Sequence, residues 1–573
     1  KMEKIKNLRK ILSKLNLDGY IVPKNDEFFS DQISLNEDRL KFISNFSGSY
    51  GFAVILKSKN YLFVDGRYST QANIQSGKNF NIKTIPKQAP SKIFKNKNIS
   101  LGFDPKLHTE SVLFRIFERT KCKLIPVKVN LVDMLWKNKS ENKINKFFLL
   151  PKKATGEDFK SKIGKVFKNL KYNKLDLQFV TAPENIAWLL NIRGNDSKFA
   201  PIPKGCLLID KKNKINFFCD LRKLDNQILK KMKKINFVDI KNIENSISKI
   251  RNKSIQIDKN TCSIFFKSIL KKRNKLTETQ DPIYYLKSIK NRIEIKNITK
   301  SHIYDGAALT KFLFWVKNNF QKKRITELSA QEKLFKFRKN NKTFVSLSFP
   351  TISGSGPNGA IIHYKANPQT NRVLKKGDIY LIDSGGQYKF GTTDVTRTIS
   401  LKNNNKRIRN IFTKVLKGHI AVCNFKLKKN TTGSEIDPVA RRFIKQYKLD
   451  YPHGTGHGVG YFLNVHEGPQ GISKGNKVKL KPGMILSNEP GYYEKGKFGI
   501  RIENMIAIKK NKNSYFFDNL TLVPIDKSLI ERNLLSKNDL DWLNFYHNKV
   551  FKNLKRFMNK KEKVQLRQYC SNI

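Results

Sequence analysis

Apolar residues near the start of the chain recur with the spacing of a helix, at Ile5, Leu8, Ile11, Leu12 and Leu15. This period of about 3.6 residues predicts an amphipathic helix. The apolar run Gly19–Pro23 predicts a strand, and the runs 51–57 and 61–64 predict two more strands around a turn at 58–60. We therefore expect the first region to be an α/β module.

Helix and strand signals alternate again between residues 146 and 285. The predicted elements are a helix at 159–170, a strand near Phe179, a helix at 186–190 and strands at 206–209 and 215–218. The two halves therefore look like similar α/β modules. A third region begins near Lys287 with a long helical pattern. No short-period repeat is visible, which argues against a solenoid or a propeller.

The composition predicts a folded chain of several domains. Of its 573 residues, 39% are hydrophobic and 11% aromatic, which is too apolar for a disordered polyelectrolyte. At about 100 to 200 residues per domain, we expect three or four domains. The six cysteines are scattered without a C-x-x-C pair, which predicts reduced thiols. No apolar run has secretory or membrane-spanning length. We therefore predict a cytoplasmic protein without a membrane partner.

The charge balance widens the range of possible partners. With 113 Lys and Arg against 46 Asp and Glu, the formal net charge is +67, and such a field attracts nucleic acid, anionic lipid and acidic proteins. A chain that fills its solvated faces with lysine acquires the same charge without any such partner, and we favour this interpretation. The sequence lacks the C2H2 spacing and the aromatic pattern of common nucleic-acid modules. We expect no nucleic-acid binding beyond non-specific attraction.

A glycine-rich segment at 354–359 matches the G-x-G-x-x-G pattern of dinucleotide-binding proteins. That pattern requires a helix N-terminus beside the pyrophosphate. Here the following residues, 360–364, are predicted to form a strand, and Pro357 removes a backbone donor. We therefore interpret the segment as a tight turn that delivers His363 to a functional site.

Two aspartates on neighbouring predicted strands suggest a metal site. Asp383 ends the run 378–383, and Asp394 lies in the returning run 392–398. A turn centred between Tyr388 and Lys389 would place the two carboxylates opposite each other. Close carboxylates repel unless a cation lies between them or one takes up a proton. For this segment alone, however, two solvent-facing aspartates at strand edges are the ordinary interpretation.

A second acidic pair follows the same logic. A turn around Gly496 would fold Glu503 back towards Glu489, and strand alternation would place Arg501 on the same face as Glu503. Histidine-rich and glycine-rich segments separate the two acidic pairs in the sequence. His453, His457 and His466 lie between the two pairs and His363 precedes the first, so these four of the eight histidines lie near the acidic pairs in the sequence.

The spacing of His453 and His457 is that of the helical H-E-x-x-H zinc signature, but the glycines between them argue against a helix. An extended, glycine-rich segment lets the backbone pass close to a site and leaves at least one imidazole available to a metal. Isolated histidines are more often structural. We assign the remaining ones to that class: His108, His302, His419 and His547.

These residues together resemble the aminopeptidase P family, also called Xaa-Pro aminopeptidases. The resemblance rests on Asp383, Asp394, the HGTGH run at 453–457, Glu489 in NEPG and Glu503 in RIEN. It extends over essentially the whole chain, through DGRY at 65–68, AWLLNIRGND at 187–196, DGAA at 305–308 and WLN at 542–544.

The resemblance implies an α/β (α+β) fold in three parts. Two creatinase-like N-terminal α/β domains would occupy residues 1–145 and 146–285. A pita-bread metallopeptidase domain would occupy residues 286–573, with a C-terminal extension from about residue 510.

The resemblance also implies two divalent metal ions per subunit. Carried over position by position, Asp383 would bind one ion, His457 and Glu489 the other, and Asp394 and Glu503 would bridge both. Mostly oxygen ligands suit Mn(II), although Co(II) or Zn(II) could take its place.

The implied reaction is hydrolysis of the peptide bond before a proline in the second position, by a hydroxide that bridges the metal ions. Glu489 would take a proton from the water and pass it to the departing proline nitrogen. His363 and His466 would hydrogen-bond the substrate carbonyl or the developing oxyanion, and His453 would line the proline pocket.

Supporting residues and partners are implied in the same way. Tyr493 and Arg501 would orient the carboxylates that bind metal. The partners would be peptides with proline in the second position and a second copy of the chain in a homodimer.

Two other functions remain open at this stage. A prolidase would cleave only dipeptides that end in proline and would need a group to capture the free carboxylate, and the two N-terminal modules fit the longer aminopeptidase better. A metal-free pita-bread protein that binds nucleic acid would explain the basic charge. A purely binding protein has no physical reason to fill all five ligand positions, so we favour the aminopeptidase.

Overall fold

The computed structural model describes residues 2–139, 144–403, 405–512 and 514–573. The chain divides into two compact units, one of residues 1–152 with 157–284 and one of residues 153–156 with 285–573. The first unit contains both predicted N-terminal modules, apart from residues 153–156 and 285. The division of the whole chain into three domains therefore stays a prediction.

The first module is a mixed sheet with helices, in the strand order β4-β3-β2-β1-β5-β6. Its strands are β1 (Gly19–Pro23), β2 (Phe52–Leu56), β3 (Asn60–Val64), β4 (Asn81–Thr84), β5 (Ser100–Phe103) and β6 (Lys123–Pro126). Its helices are α1 (Met2–Lys14), α2 (Arg39–Ser44), α3 (Ser69–Ser76), α4 (Pro90–Ile93) and α5 (Glu110–Phe117). Tyr20 and Val22 pack on one face of the sheet and Ile21 on the other, so both faces of β1 are buried, in agreement with its unbroken apolar sequence.

The second module repeats this topology. Its sheet has the order β12-β11-β10-β8-β13-β14, with the same sequence of parallel and antiparallel pairs as the first sheet. The strands are β7 (Phe148–Leu149), β8 (Leu177–Val180), β9 (Ile192–Arg193), β10 (Cys206–Asp210), β11 (Ile215–Cys219), β12 (Ile235–Asp239), β13 (Ser254–Asp258) and β14 (Lys275–Thr279). The helices are α6 (Lys152–Thr155), α7 (Phe159–Tyr172), α8 (Pro183–Leu189), α9 (Asn226–Lys231), α10 (Ile243–Ser248), α11 (Ile264–Lys271) and α12 (Pro282–Ser288). The predicted similarity of the two modules is thus confirmed.

Small twisted sheets and long helices make up the second unit. The sheets have the orders β15-β18-β19, β16-β17-β20, β22-β21-β23-β26-β27 and β24-β25. The strands are β15 (Phe344–Leu347), β16 (Ile352–Ser355), β17 (Ile379–Ser384), β18 (Gly386–Tyr388), β19 (Gly391–Thr392), β20 (Val395–Ser400), β21 (Gly456–Gly458), β22 (Glu467–Ile472), β23 (Ile485–Asn488), β24 (Gly491–Glu494), β25 (Phe498–Arg501), β26 (Asn504–Lys510) and β27 (Tyr515–Asn519). The helices are α13 (Arg292–Asn319), α14 (Glu327–Lys339), α15 (Lys406–Cys423), α16 (Gly433–Lys445), α17 (Lys537–Leu554) and α18 (Lys560–Tyr569).

Short 3-10 helices connect these elements. They lie at Asp133–Leu135, Leu221–Lys223, Ile240–Asn242, Gly356–Ala360, Lys527–Leu529, Arg532–Leu534 and Lys555–Phe557. The segment that precedes His363 is one of them, and it is followed by a turn at 361–363. The predicted strand at 360–364 is therefore wrong.

The long helix predicted from residue 287 onwards is split in the structure. Asn291 caps α13 by accepting hydrogen bonds from the backbone N–H groups of Ile293 and Glu294, and the Glu294 side chain caps Asn291 in return. This capping box starts α13 at Arg292, five residues after the predicted position, because Lys287 belongs to the separate helix α12. None of the helices formed by the described residues is long and apolar enough to cross a membrane.

Candidate metal centre

Asp383 lies at the end of β17, where its carboxylate is buried and half satisfied. Its Oδ2 accepts a hydrogen bond from Arg501 Nη2 at 2.7 Å. Its Oδ1 is buried and has no hydrogen-bond partner among the described residues. Burial of a carboxylate oxygen without a donor is costly, so this atom is a candidate ligand for a cation.

Asp394 approaches Asp383 through a hairpin whose register differs from the predicted one. β17 pairs with β20 so that Asp383 lies opposite Thr396, and Tyr388 lies opposite Gly391. The turn is therefore centred between Lys389 and Phe390, one residue later than predicted. Asp394 lies just before β20 and is buried, with its Oδ1 also lacking a hydrogen-bond partner among the described residues.

The second acidic pair is brought together as predicted. β24 pairs with β25 in a register centred on Gly496, whose φ of +75° suits glycine at a tight turn. Glu489 lies two residues before the first strand of this hairpin, and Glu503 lies two residues after its second strand. Glu503 is buried, and its Oε2 accepts a hydrogen bond from Thr396 Oγ1 at 2.7 Å.

His457 completes the cluster from β21, which is extended rather than helical, as the glycines indicated. Its Nδ1 donates to the Gly458 carbonyl at 2.9 Å, which leaves Nε2 facing the acids. Nε2 lies 3.5 Å from Asp394 Oδ2 and 3.4 Å from Glu489 Oε1. The backbone passes close here: a Cβ atom on Gly456 would lie 1.9 Å from the Ser487 carbonyl oxygen, so only glycine fits.

The electrostatics of the cluster favour a bound cation. Burial and the charges of neighbouring carboxylates raise the pKa of Asp394 to about 7 and that of Glu503 well above its usual value. Burial opposes a proton on His457, but its hydrogen bond to Asp394 and the charges of Glu489 and Asp394 outweigh burial and raise its pKa to about 9. Without a metal, the cluster must therefore take up protons to limit repulsion.

The donor set fits divalent metal ions. Ligand atoms of Asp394, His457 and Glu503 lie within 4.8 Å of one another, and the open Oδ1 atoms of Asp383 and Asp394 provide further donors. Carboxylates with one imidazole suit Mn(II), Co(II) and Zn(II) and do not suit a thiolate-preferring ion.

Tyr493, Arg501 and His453 form a chain of hydrogen bonds that leads away from Asp383. Arg501 donates through Nη1 to the Tyr493 hydroxyl at 2.6 Å, and the hydroxyl is 2.9 Å from His453 Nε2. Because His453 Nδ1 donates to the Gly454 carbonyl, its Nε2 accepts from Tyr493. Through Tyr493, Arg501 thus connects Asp383, a candidate metal ligand, to His453, a candidate substrate-binding residue.

The other two candidate histidines are linked to the cluster in different ways. The His466 ring contacts the His457 ring edge to face, with centroids 4.5 Å apart. His363 follows Ile362, whose carbonyl accepts a hydrogen bond from Arg501 Nη2 at 3.4 Å. The structure therefore brings His466 directly to the cluster and attaches the backbone beside His363 to it.

The remaining histidines lie away from these acids. His108, His302, His419 and His547 are buried, and a ring nitrogen of each is hydrogen-bonded to a backbone group. Burial lowers the pKa of all of them, so they are neutral at physiological pH.

Sequence reasoning missed two residues that support the ligands. Thr396 bridges Glu503 and Arg501, because its Oγ1 donates to Glu503 and accepts from Arg501 Nε at 3.1 Å. Arg397 is fully buried and donates to the Glu503 carbonyl at 2.7 Å. Thr396 could have been found from strand alternation, since it follows Asp394 by two residues and shares its face. No sequence signal marks the contact of Arg397.

Comparisons with known families cover the chain from end to end. The model described as metallopeptidase family M24 matches residues 296–510, and the model of its C-terminal region matches residues 513–573. Creatinase/prolidase N-terminal domain models match residues 4–134 and 138–294.

Individual relatives agree with the family models. A probable Xaa-Pro aminopeptidase P of Laccaria bicolor is 36% identical over 95% of this chain and 89% of its own. The crystal structure of an X-prolyl aminopeptidase from Caenorhabditis elegans, described as a cytosolic enzyme with a di-nuclear active site, has a TM-score of 0.94, with 31% identity over 100% of this chain and 99% of its own. A prolidase from Pyrococcus furiosus covers only 62% of this chain and 98% of its own, with 26% identity and a TM-score of 0.50.

The predicted fold, two creatinase-like α/β modules followed by a pita-bread catalytic region, is therefore confirmed. The matches span nearly the full length of both chains, and the M24 region contains all five candidate ligands. The chain belongs to the Xaa-Pro aminopeptidase P family of M24 metallopeptidases.

Proposed function

We propose that this protein is a metal-dependent aminopeptidase that releases the N-terminal residue from peptides with proline in the second position. The observation that carries the proposal is the cluster of four carboxylates, three of them buried, beside His457. Full-length similarity to Xaa-Pro aminopeptidases supports peptide hydrolysis as the reaction of this cluster. The chain is thus a hydrolase that acts on peptides.

Asp383, Asp394, His457, Glu489 and Glu503 would hold two divalent ions. When bound, the ions would supply Lewis acidity for the scissile carbonyl and lower the pKa of a water molecule. We propose that both ions are Mn(II), because most of the donors are carboxylates, with Co(II) and Zn(II) as alternatives. The open carboxylate oxygens of Asp383 and Asp394 support this assignment.

Glu489 would move the proton. It is only half buried, and its Oε1 accepts a hydrogen bond from Ser487 Oγ at 2.9 Å, which orients the carboxylate. A carboxylate in this position can take a proton from water and return it to the proline nitrogen. That return is required because the amide before proline is tertiary and its nitrogen must be protonated as it leaves.

The histidines would bind the substrate. His363 and His466 would hydrogen-bond the scissile carbonyl oxygen as negative charge develops on it, and His453 would line the pocket of the proline ring. Tyr493 and Arg501 would keep Asp383 and His453 in place through their shared hydrogen bonds.

The proposal also covers the cellular location, the oligomeric state and the domain boundaries of the enzyme. The six cysteines are free thiols, which supports a cytoplasmic location together with the cytosolic description of the C. elegans structure. A homodimer is proposed from family likeness and is tested by light scattering after gel filtration. Three domains with boundaries near residues 145 and 285 are proposed, the last carrying the C-terminal extension from about residue 510.

The test compares Arg-Pro-Pro with the dipeptide Ala-Pro in metal-stripped protein, with and without added Mn(II). We expect Mn(II)-dependent release of arginine from Arg-Pro-Pro, and a loss of at least about 1,000-fold in Glu489→Ala. Glu494→Ala is the matched control, because Glu494 lies in the adjacent hairpin and pairs with Arg407 and Lys497 outside the cluster. It should retain activity within about twofold.

Each alternative has its own signature in this test. Cleavage of Ala-Pro alone would identify a prolidase. No turnover of either peptide with Mn(II), Co(II) or Zn(II) would contradict the aminopeptidase and favour a binding protein.

A further inference from the structure

A buried carboxylate that the proposed mechanism does not use lies at the start of α14. Glu327 is fully buried. Its carboxylate oxygens accept hydrogen bonds from the backbone N–H groups of Ser355 at 2.7 Å and Arg372 at 2.9 Å, and from Asn358 Nδ2 at 2.9 to 3.0 Å. The Tyr364 hydroxyl donates to it at 2.9 Å. A buried anion that gathers this many donors fixes the segment that supplies them.

Three of these four donor residues belong to the segment 355–364, which carries His363, and the fourth, Arg372, follows it in the sequence. Ser355 ends β16, Asn358 lies in the following 3-10 helix, and Tyr364 directly follows His363 in the sequence. Tyr364 is itself buried, and its hydroxyl also accepts a hydrogen bond from Asn358 Nδ2 at 2.9 Å. Glu327 therefore holds the segment both before and after His363.

The same segment is fixed on its other side against β25. Arg501, at the end of β25, donates to the carbonyl of Ile362. A Cβ atom on Gly499 of the same strand would lie 1.8 Å from the Gly359 carbonyl oxygen, so the two backbones touch. His363 thus lies between a residue tied to Arg501 and a residue tied to Glu327.

We propose that Glu327 and Tyr364 are positioning residues for His363: together they fix the turn at 361–363, and so set where the imidazole meets the substrate carbonyl. The proposal rests on the proposed function, in which His363 hydrogen-bonds that carbonyl. It also assigns a role to the glycine-rich segment at 354–359, whose tight backbone lets Asn358 and Ser355 reach one carboxylate.

Positioning of this kind affects the chemical step more than ground-state binding. A hydrogen bond to the carbonyl oxygen strengthens as the oxyanion forms, so a displaced imidazole lowers kcat and leaves KM nearly unchanged. A displacement of about 1 Å can cost about 100-fold in rate. Loss of one of several anchors should cost less, and we expect a decrease in kcat of about 10-fold.

The test variant is Tyr364→Phe, which removes only the hydroxyl that joins this turn to Glu327 and to Thr370. The matched control is Tyr380→Phe. Tyr380 is also fully buried, and its hydroxyl is 2.7 Å from Ser353 Oγ, which donates to the backbone carbonyl of Glu327, so this variant leaves the contacts between the Glu327 carboxylate and the turn intact. With Mn(II) and Arg-Pro-Pro, we expect kcat to fall about 10-fold in Tyr364→Phe and to change less than about twofold in Tyr380→Phe, with KM within about twofold in both.

A double-mutant cycle separates positioning from general damage. In a His363→Ala background, Tyr364→Phe should lower kcat by less than about twofold, because the residue it positions is absent. An equal decrease in both backgrounds, or a kcat within about twofold of wild type in the single variant, would overturn the proposal.

A spectroscopic measurement decides the question without activity. The chain has only eight histidines, so ring resonances of protein labelled with 13C-histidine can be assigned by substitution in the diamagnetic Zn(II)-loaded form. The His363 resonance should shift in Tyr364→Phe and stay in place in Tyr380→Phe, and an unshifted resonance in both contradicts the proposal. If wild-type protein cleaves no Xaa-Pro peptide, the proposed function fails, whereas this shift still reports whether Tyr364 positions His363.

Discussion

Metal binding to the metal-free protein should release protons, in a number that follows from the pKa values of the cluster. The raised pKa of His457, about 9, means that about 99% of its rings are protonated at pH 7 before metal binds. A metal ligand must be deprotonated, so His457 alone should release about one proton.

The carboxyl groups add to this number. The pKa of Asp394 is raised to about 7, so this carboxyl retains protons in the neutral range in which ordinary carboxyls have none. The pKa of Glu503 is also raised well above its usual value, so Glu503 holds its proton to a higher pH than an ordinary carboxyl does. At pH 7 Asp394 contributes about half a proton, which brings the minimum to about 1.5 per cluster. The release should increase from pH 8 to pH 6, and the apparent metal affinity should fall at least about tenfold per pH unit over this range.

Isothermal titration of metal-stripped protein with Mn(II) measures this number. When the titration is repeated in buffers of different ionisation enthalpy, the slope of the observed enthalpy against the ionisation enthalpy gives the protons released. Asp394→Asn should lower the number, because it removes a carboxyl that binds a proton and the partner that raises the pKa of His457.

A release below about half a proton at pH 7 would refute the reasoning, since it would mean that His457 is already neutral among the acids. Glu494→Ala serves as the control, because this glutamate lies outside the cluster and pairs with two surface cations. Its proton release should equal that of the wild type.

Further outcomes follow from individual contacts. Arg338→Met should destabilise the protein by about 3 to 5 kcal/mol in urea unfolding, because Arg338 is the buried cation that donates to both carboxylate oxygens of Asp305 at 2.7 and 3.1 Å. Arg501→Lys should lower metal affinity or kcat by about 10- to 100-fold, because lysine cannot reproduce the forked contact with Asp383 and Tyr493. In thermal unfolding, the metal-free protein should lose stability from pH 6 to pH 9 more steeply than the metal-loaded protein. The raised carboxyl pKa values remove stability as they deprotonate, and the raised His457 pKa adds stability only while the ring is protonated.

The two hairpins show how far sequence reasoning reaches at this site. The turn at Gly496 could be located because a positive φ demands a residue such as glycine, and its register followed directly. The hairpin between Asp383 and Asp394 turns at Lys389 and Phe390, which carry no such signal. The predicted centre of this hairpin is therefore one residue too early. The error moves the residue opposite Asp383 from Asp394 to Thr396, and these two lie on the same face of the strand because side chains alternate with a period of two.

The strand wrongly predicted at 360–364 has a different cause. Its local sequence is apolar and β-branched, which favours a strand. The conformation is decided instead by Glu327, more than 25 residues earlier in the sequence, whose carboxylate draws Ser355, Asn358 and Tyr364 towards one point. A pattern of neighbouring residues does not contain a contact of this range, so neither the turn nor the partner of Tyr364 could be read from it.

His466, the second histidine proposed to hydrogen-bond the oxyanion, is also next to a residue that is held by a side chain from outside the cluster. His466 is directly followed by Glu467, a buried carboxylate that pairs with Lys290 and lies 3.2 Å from Lys287 Nζ. Tyr364 and Glu467 thus occupy equivalent positions, because each directly follows a histidine. Each also bonds a buried side chain from elsewhere in the chain, Glu327 for Tyr364 and Lys290 for Glu467. Fixing the neighbouring residue holds the backbone of each histidine in place, and a donor held in a fixed position is what preorganised stabilisation of an oxyanion requires.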